Sequence, residues 1–205
     1  YIRGVSAYST LGWFDDPILS SMLSYADHEL VELIIHETVH STIFIKSHAE
    51  FNERLATFIG QIGTREFYLQ KEGSKSPTLR RIEKEQSDQN IFSQFISHEL
   101  KTLRTWYQEH SNSITNKMKQ GRLNQVKFNF NKNIFPQLKT DIYKNFAQSE
   151  LNNAKLLAYE TYVRDLDDFA KLYEALNGDF HKFLAACKNL ESASDPNQQV
   201  KSLYP

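Results

Sequence analysis

The sequence predicts a mainly α-helical protein with a small β part at its N-terminus. Glycine is scarce, with 7 residues in 205, and Lys, Gln, Asn, Glu and Leu are common, a composition that suits helices. Apolar residues recur at helical spacing through much of the chain. Residues 1–14 differ: they are rich in β-branched and aromatic types and contain Gly4 and Gly12, so they predict a short strand or extended segment.

Two helices are predicted after a short helix that begins at Pro17. The first covers roughly residues 28–46 and the second roughly residues 48–70. A turn near Lys46 and Ser47 would bring the second helix back antiparallel to the first. The second helix carries apolar residues at helical spacing: Phe51, Leu55, Phe58, Ile59 and Ile62.

A longer pair of helices is predicted after the loop at residues 71–78. Residues 79–110 form one long helix in this prediction, and the more polar stretch 114–128 forms another. The short break between them indicates an antiparallel hairpin. We expect residues 79–128 to be a helical hairpin insertion within a single domain that covers residues 1–205.

The last third of the chain is predicted to be helical, with interruptions. Pro136 predicts a bend. A helical pattern starts at Asn152 and breaks at Asn177 and Gly178. The tail after Ser192 is polar, and we expect it to be frayed.

Composition excludes several classes of function. The formal net charge is −1 and the pI is about 6.7. The chain therefore lacks the excess of basic residues that would indicate nucleic-acid binding. The single cysteine, Cys187, excludes an internal disulfide framework. The sequence contains no run of about 20 apolar residues, so it predicts no membrane-spanning helix. The chain starts at Tyr1 without an initiator Met, and we expect an N-terminally truncated piece whose targeting segment is missing.

The motif with the clearest chemistry is His36-Glu37-Thr38-Val39-His40, which fits the pattern H-E-x-x-H on a predicted helix. Residues four apart share a helix face, so both imidazoles can reach one Zn²⁺ at about 2.0–2.1 Å. Glu37 lies beside them and could take a proton from a zinc-bound water whose pKa is lowered toward about 7. The alternative is a chance match on a buried helix.

A zinc site of this kind needs a third protein ligand, and His48, Glu50 and Glu53 are the candidates. The metzincin pattern requires a Gly at position 43 and a His at position 46, where this chain has Ile and Lys. The gluzincin pattern requires a Glu from the following helix, usually after an Asn, and Asn52-Glu53 fits it. His48 is the alternative third ligand. A structural site would normally use four ligands and favour cysteine, and the only cysteine is distant in sequence.

Four stretches resemble the bacterial predicted zinc aminopeptidases, a gluzincin-like family with HExxH and NE motifs: YSTLGWFDDPILSSML, ELIIHETVHSTIF, FNERLATFIG and LNNAKLLAYETY. The resemblance implies an α+β zincin-like fold with Zn²⁺ held by His36, His40 and Glu53, and Glu37 as general base. It also implies a location in the bacterial periplasm or cell envelope. Membrane anchoring there would use an N-terminal cysteine outside this sequence.

Oxyanion stabilisation needs a further donor, and Tyr159 and Tyr162 are the candidates. Core packing is the alternative role for either ring. The sequence therefore predicts a zinc-dependent peptidase acting on a peptide substrate through a metal-bound water, an aminopeptidase by resemblance. It lacks the Gly-x-Met-Glu-Asn stretch of well-known gluzincin aminopeptidases, so a zinc endopeptidase stays open. The other alternative is a non-catalytic helical binding protein with a structural or vestigial zinc site.

Overall fold

The computed structural model describes residues 19–111, 113–160 and 166–204, with the side chains of Ser21 and Glu160 excepted. The strand expected in residues 1–14 and the helix start at Pro17 lie outside these ranges. The described residues form helices and no strand, which confirms the mainly α-helical prediction for this part of the chain. No helix among them is long and apolar enough to cross a membrane.

Eight α-helices account for most of the described residues. Their bounds are α1 Asp27–Thr42, α2 Ala49–Glu72, α3 Pro77–Glu109, α4 Asn116–Asn129, α5 Asn153–Glu160, α6 Asp167–Ala175, α7 Phe180–Lys188 and α8 Pro196–Lys201. Short 3-10 helices occur at Ser20–Ser24, Phe135–Gln137 and Asn189–Ser192, and a π-helix at Phe130–Ile134. The predicted helix pairs in the first half of the chain are present, with ends shifted by a few residues.

The chain divides into two compact units. The terminal unit comprises residues 2–79 and 165–205, and the middle unit comprises residues 80–164. The predicted hairpin insertion, 79–128, falls almost wholly in the middle unit. That unit continues past it to include α5.

The terminal unit has its own core, built where α2 meets α6, α7 and α8. The ring of Phe58 packs against those of Phe169 and Phe183, with centroids 5.9 and 5.3 Å apart. On the other side of α2, the residues facing α1 are small. Ala56, Gly60 and Gly63 are buried there, so the two helix backbones approach closely.

The expectation of a frayed tail is wrong. Residues Pro196–Lys201 form α8, in which Val200 is buried. Asp195 caps this helix by accepting hydrogen bonds from the backbone N–H groups of Asn197 and Gln198 at 3.0 and 3.1 Å. The tail is polar in composition, but the Asp195 cap and the buried Val200 are enough to hold a short helix against the core.

The helical pattern expected from Asn152 to the break at Asn177 is divided in the structure. It forms α5 and α6, and Leu166 before α6 has a non-helical backbone with ψ of 4°. The predicted break is confirmed, because Asn177 and Gly178 both have positive φ, 57° and 68°. The bend expected at Pro136 is a short 3-10 helix that continues directly from α4 and the π-helix.

The middle unit is organised around aromatic rings. Phe92, Phe130 and Phe146 are buried, and their ring centroids lie 4.7–6.0 Å apart. The buried carboxylate of Glu99 on α3 accepts hydrogen bonds from Arg122 at 2.9 Å and Asn129 at 2.7 Å, both on α4. Because a buried charge is costly without partners, this contact fixes how α4 packs on α3.

Candidate metal centre

Three side chains that can ligate a metal converge where α1 and α2 leave their connecting turn. His36 and His40 lie one turn apart on α1, and Glu53 is in the first part of α2. The two histidine Nε2 atoms are 3.2 Å apart. The Glu53 carboxylate oxygens lie 3.2 Å from His40 Nε2 and 3.7 Å from His36 Nε2. One ligand atom from each of the three residues therefore lies within 4.8 Å of the other two.

The spacing of these atoms can be compared with what zinc requires. Ligand atoms at 2.0–2.1 Å from a tetrahedral ion lie about 3.3 Å from one another. The observed separations are close to that value: 3.2 Å between the two histidine Nε2 atoms, 3.2 Å from His40 Nε2 to one Glu53 oxygen and 3.7 Å from His36 Nε2 to the other. Two imidazoles and one carboxylate also form a donor set that zinc accepts. The residues present therefore fit a zinc ion by both chemistry and distance.

The turn between the helices is what brings Glu53 to the histidines. It lies at Lys46 and Ser47, as the sequence predicts, and Ser47 takes a positive φ of 67°. Such a conformation reverses the chain in few residues. The return places Glu53, thirteen residues after His40, beside the histidine face of α1.

Asn52 fastens this turn to α2. Its side-chain Oδ1 accepts a hydrogen bond from the backbone N–H of Ile45 at 2.9 Å, and its Nδ2 donates to the Ile45 carbonyl at 2.8 Å. Asn52 is 3% exposed and Ile45 is 1% exposed, so water does not compete for these groups. The Asn of the Asn-Glu pair thus holds the turn, while the neighbouring Glu faces the histidines.

A second support comes from the far end of the chain. The backbone N–H of Phe44 donates to the Glu191 carboxylate at 2.9 Å, and Lys188 Nζ donates to the Thr42 carbonyl at 2.5 Å. Lys188 and Glu191 also form an ion pair at 2.9 Å. These contacts with the Phe44 N–H and with Lys188 hold the pKa of the Glu191 carboxyl below its usual value. The α1 end of the turn is therefore anchored to the region between α7 and α8.

Close helix packing is the third support. A Cβ atom added at Gly60 would lie 3.3 Å from the Glu32 carbonyl oxygen and 3.6 Å from Cβ of His36. One added at Gly63 would lie 3.3 Å from two carbons of Ile35. Glycine at these positions lets α1 sit close enough for its histidines to reach Glu53. Sequence inspection missed this role, although the spacing from Glu53 through Ala56, Gly60 and Gly63 follows one helix face.

The remaining predicted residues of the motif region have clear positions. Glu37 follows His36 on α1 and is half-buried. His48 is the residue before α2, where its carbonyl accepts from the Asn52 N–H at 3.0 Å. Glu50 is exposed in the first turn of α2. Among the described residues, neither of these last two joins the metal-competent group formed with His36 and His40.

The two tyrosine candidates remain predictions. Tyr159 belongs to the middle unit, where its ring packs against Phe92 and Phe146 with centroids 5.3 and 5.4 Å away. This contact gives the ring a structural role of its own. Tyr162 lies outside the described residues.

The geometry thus defines a candidate metal site of the two-histidine, one-carboxylate class. Residues 1–203 match the family model described as "Putative aminopeptidase", and the chain belongs to this family. No curated protein and no solved structure matches the chain significantly. The resemblance drawn from the sequence is confirmed at the level of an aminopeptidase family, while its zinc and gluzincin features stay predictions.

Proposed function

We propose that the protein is a zinc-dependent peptidase whose metal ligands are His36, His40 and Glu53. The observation that carries the proposal is the convergence of their ligand atoms at 3.2–3.7 Å, close to the edge length of a tetrahedral zinc site. Membership of the aminopeptidase family supplies the class of reaction.

The exposure of the site favours catalysis over a closed structural role. The side chains of Glu53 and His36 are 43% and 20% exposed, while His40 is 9% exposed. Structural zinc sites are usually closed by four protein ligands, whereas catalytic sites have three and leave one position open. Three converging ligands at a partly open surface match the catalytic pattern.

Each residue has a defined task in the proposed mechanism. Zinc, when bound, supplies Lewis-acid chemistry that activates water at neutral pH and polarises the substrate carbonyl. His36 and His40 would hold the ion through their Nε2 atoms, and Glu53 would hold it through its carboxylate. The Glu37 carboxylate takes the proton of the attacking water and delivers it to the leaving amine. Loss of that carboxylate should therefore remove the chemical step without removing a ligand.

The variant Glu37→Gln tests this mechanism. Glutamine preserves the size of the side chain but cannot accept the proton, so we expect kcat/KM to fall by about 100-fold or more. Zinc stoichiometry should stay unchanged. The assay is hydrolysis of a fluorogenic aminoacyl amide and of an N-acetylated peptide, with zinc measured on the same samples.

The two substrates also decide between the open alternatives. Cleavage of only the free-amine substrate identifies an aminopeptidase, and cleavage of the blocked peptide identifies an endopeptidase. Wild-type turnover by Glu37→Gln would refute its role as base. Stoichiometric zinc without hydrolysis of either substrate would favour a binding protein with a structural or vestigial site.

A further inference from the structure

The two units carry opposite charge. Residues 80–164 contain fourteen Lys and Arg against eight Asp and Glu, whereas residues 2–79 and 165–205 contain ten against seventeen. The near-neutral total therefore conceals a basic middle unit and an acidic terminal unit. A charge imbalance of this size governs which surfaces a protein attracts.

The basic excess is concentrated in one stretch of the middle unit. Between Glu109 and Asp141 there are thirty-one residues with six Lys and Arg and no acidic residue. Of these six residues, Arg122 forms an ion pair with the buried Glu99. The other five are lysines, namely Lys117, Lys119, Lys127, Lys132 and Lys139, and all but the half-buried Lys127 are exposed.

This stretch is a continuous helical rod from Asn116 to Gln137 with two distinct faces. Leu123, Val126 and Phe130 are buried on the inner face. The outer face carries exposed residues at helical spacing: Lys117, Asn124, Phe128 and Phe135. We call these four residues, with the flanking Lys127 and Lys132, the basic ridge.

Two phenylalanines of this ridge are exposed; Phe44 and Phe67 of the terminal unit are similarly exposed, but that unit is acidic. Phe128 is 57% exposed and Phe135 is 43% exposed, although the core of the same rod has phenylalanine fully buried. The ammonium group of Lys132 lies 5.7 Å from the centre of the Phe128 ring. Large apolar side chains that stay in water next to lysines are typical of surfaces that dock on something anionic and partly apolar.

We propose that the basic ridge is a docking surface for an anionic phospholipid bilayer. The two rings would enter the headgroup region, and the lysine side chains would extend to lipid phosphates along their apolar stems. The ridge is the outer face of a helix, which presents a convex edge to a flat interface and offers no groove for a peptide. This inference uses only the middle unit and does not rest on the proposed peptidase activity.

Vesicle sedimentation tests the proposal. The probes are sucrose-loaded vesicles of 30% phosphatidylglycerol in phosphatidylcholine, and of phosphatidylcholine alone, at 50 and 300 mM NaCl. The full chain should bind the anionic vesicles at low salt, and binding should weaken at high salt because surface charges are screened. Each lysine near such a surface contributes about fivefold in affinity, so Lys117→Gln with Lys127→Gln and Lys132→Gln should lower binding about 100-fold.

A charge-matched triple variant is the control. Lys46→Gln, Lys75→Gln and Lys182→Gln remove three exposed lysines of the terminal unit, and they should leave vesicle binding within about threefold of wild type. Phe128→Ser with Phe135→Ser should weaken binding while all charges remain. The ridge lysine triple and the phenylalanine pair should both leave the melting temperature unchanged, which separates docking from unfolding.

Three results would overturn the proposal. The first is absence of binding to the anionic vesicles at 50 mM NaCl. The second is an equal loss in the two lysine triples, which would mean that net charge and not the ridge is responsible. The third is self-association through the acidic terminal unit, seen as concentration-dependent sedimentation without vesicles and abolished by the ridge variants.

Discussion

Substitution of Asn52 by alanine is the change whose effect follows most directly from the structure. Both hydrogen bonds from its side chain go to Ile45, one to the N–H and one to the carbonyl, at 2.9 and 2.8 Å. Ile45 is 1% exposed, so water cannot replace the lost partner. Alanine would therefore leave the buried Ile45 N–H unsatisfied, while the Ile45 carbonyl would keep only its longer bond from the His48 N–H at 3.3 Å.

The size of the effect can be worked from these two groups. An unsatisfied buried polar group costs about 1–3 kcal/mol, and since the carbonyl keeps its bond from His48, the unsatisfied N–H sets the expected loss at about 1–3 kcal/mol. For a chain of this length that corresponds to about 2–12 °C in melting temperature. Because the same turn positions Glu53, zinc affinity should fall by about 10–100-fold, as it does for other groups that orient metal ligands.

Thermal melting by circular dichroism and competition with a chromophoric zinc chelator measure the two effects. Asn124→Ala is the matched control, since this exposed asparagine accepts from the nearby Gln120 at 3.2 Å on the surface of α4, and its loss should stay within about 0.5 kcal/mol. Asn52→Asp should not restore wild-type behaviour, because a carboxylate cannot donate to the Ile45 carbonyl. The reasoning is refuted if Asn52→Ala melts and binds zinc like wild type.

Three further predictions concern packing, reactivity and pH. Gly60→Ala should destabilise the protein by about 1–3 kcal/mol and weaken zinc binding, because the new Cβ would lie 3.3 Å from the Glu32 carbonyl oxygen. The control Gly121→Ala, whose Cβ would have nothing within 4 Å, should instead stabilise the protein by about 0.5–1 kcal/mol. Equal effects of the two variants in urea unfolding would contradict this prediction. Cys187 is fully buried, and burial raises the pKa of its thiol to about 12. A chromogenic disulfide reagent at pH 8 should therefore label Cys187 only after the protein unfolds, and rapid labelling of the native protein would contradict this. The lowered pKa of Glu191 means that its ionised form stabilises the fold above its ordinary pKa and that this contribution disappears as pH falls through the lowered value. The stability difference between wild type and Glu191→Gln should therefore be largest near pH 7 and shrink toward pH 3, and a difference independent of pH would exclude the ionic contribution.

The sequence predicted which residues of the candidate site lie near one another. His36 and His40 share a helix face because of their spacing, and a turn at Lys46 and Ser47 follows from the two helical patterns on either side. The preference for Glu53 over His48 as third ligand rests on the Asn-Glu pair and stays a prediction. These inferences need only local sequence patterns, since each one spans fewer than twenty residues.

What the sequence did not predict depends on contacts between distant residues. Glu191 lies 147 residues from Phe44, and no pattern near either one indicates that they meet. The short helix α8 was missed for the same reason, because its stability comes from burying Val200 against other helices. The tight approach at Gly60 was missed because a glycine inside a helix gives no sign of which neighbour it faces.

The outer face of the middle unit shows a different limit. Helical periodicity predicted the two helices of this region but ended the second one near residue 128. In the structure the helical rod continues through the π-helix to Gln137. The irregular backbone after Phe130 disturbs the simple period, so the exposed position of Phe135 is clear only in the structure.

Zinc stoichiometry is the measurement that tests the central claim most directly. The full chain, freed of metal and then dialysed against zinc, should bind one ion per chain by elemental analysis. Glu53→Ala and His40→Ala should each weaken zinc binding by more than about 100-fold, while His48→Ala should leave it unchanged. A wild-type protein that takes up no zinc, or a His48→Ala variant that loses zinc while Glu53→Ala retains it, would contradict the assignment of the metal ligands.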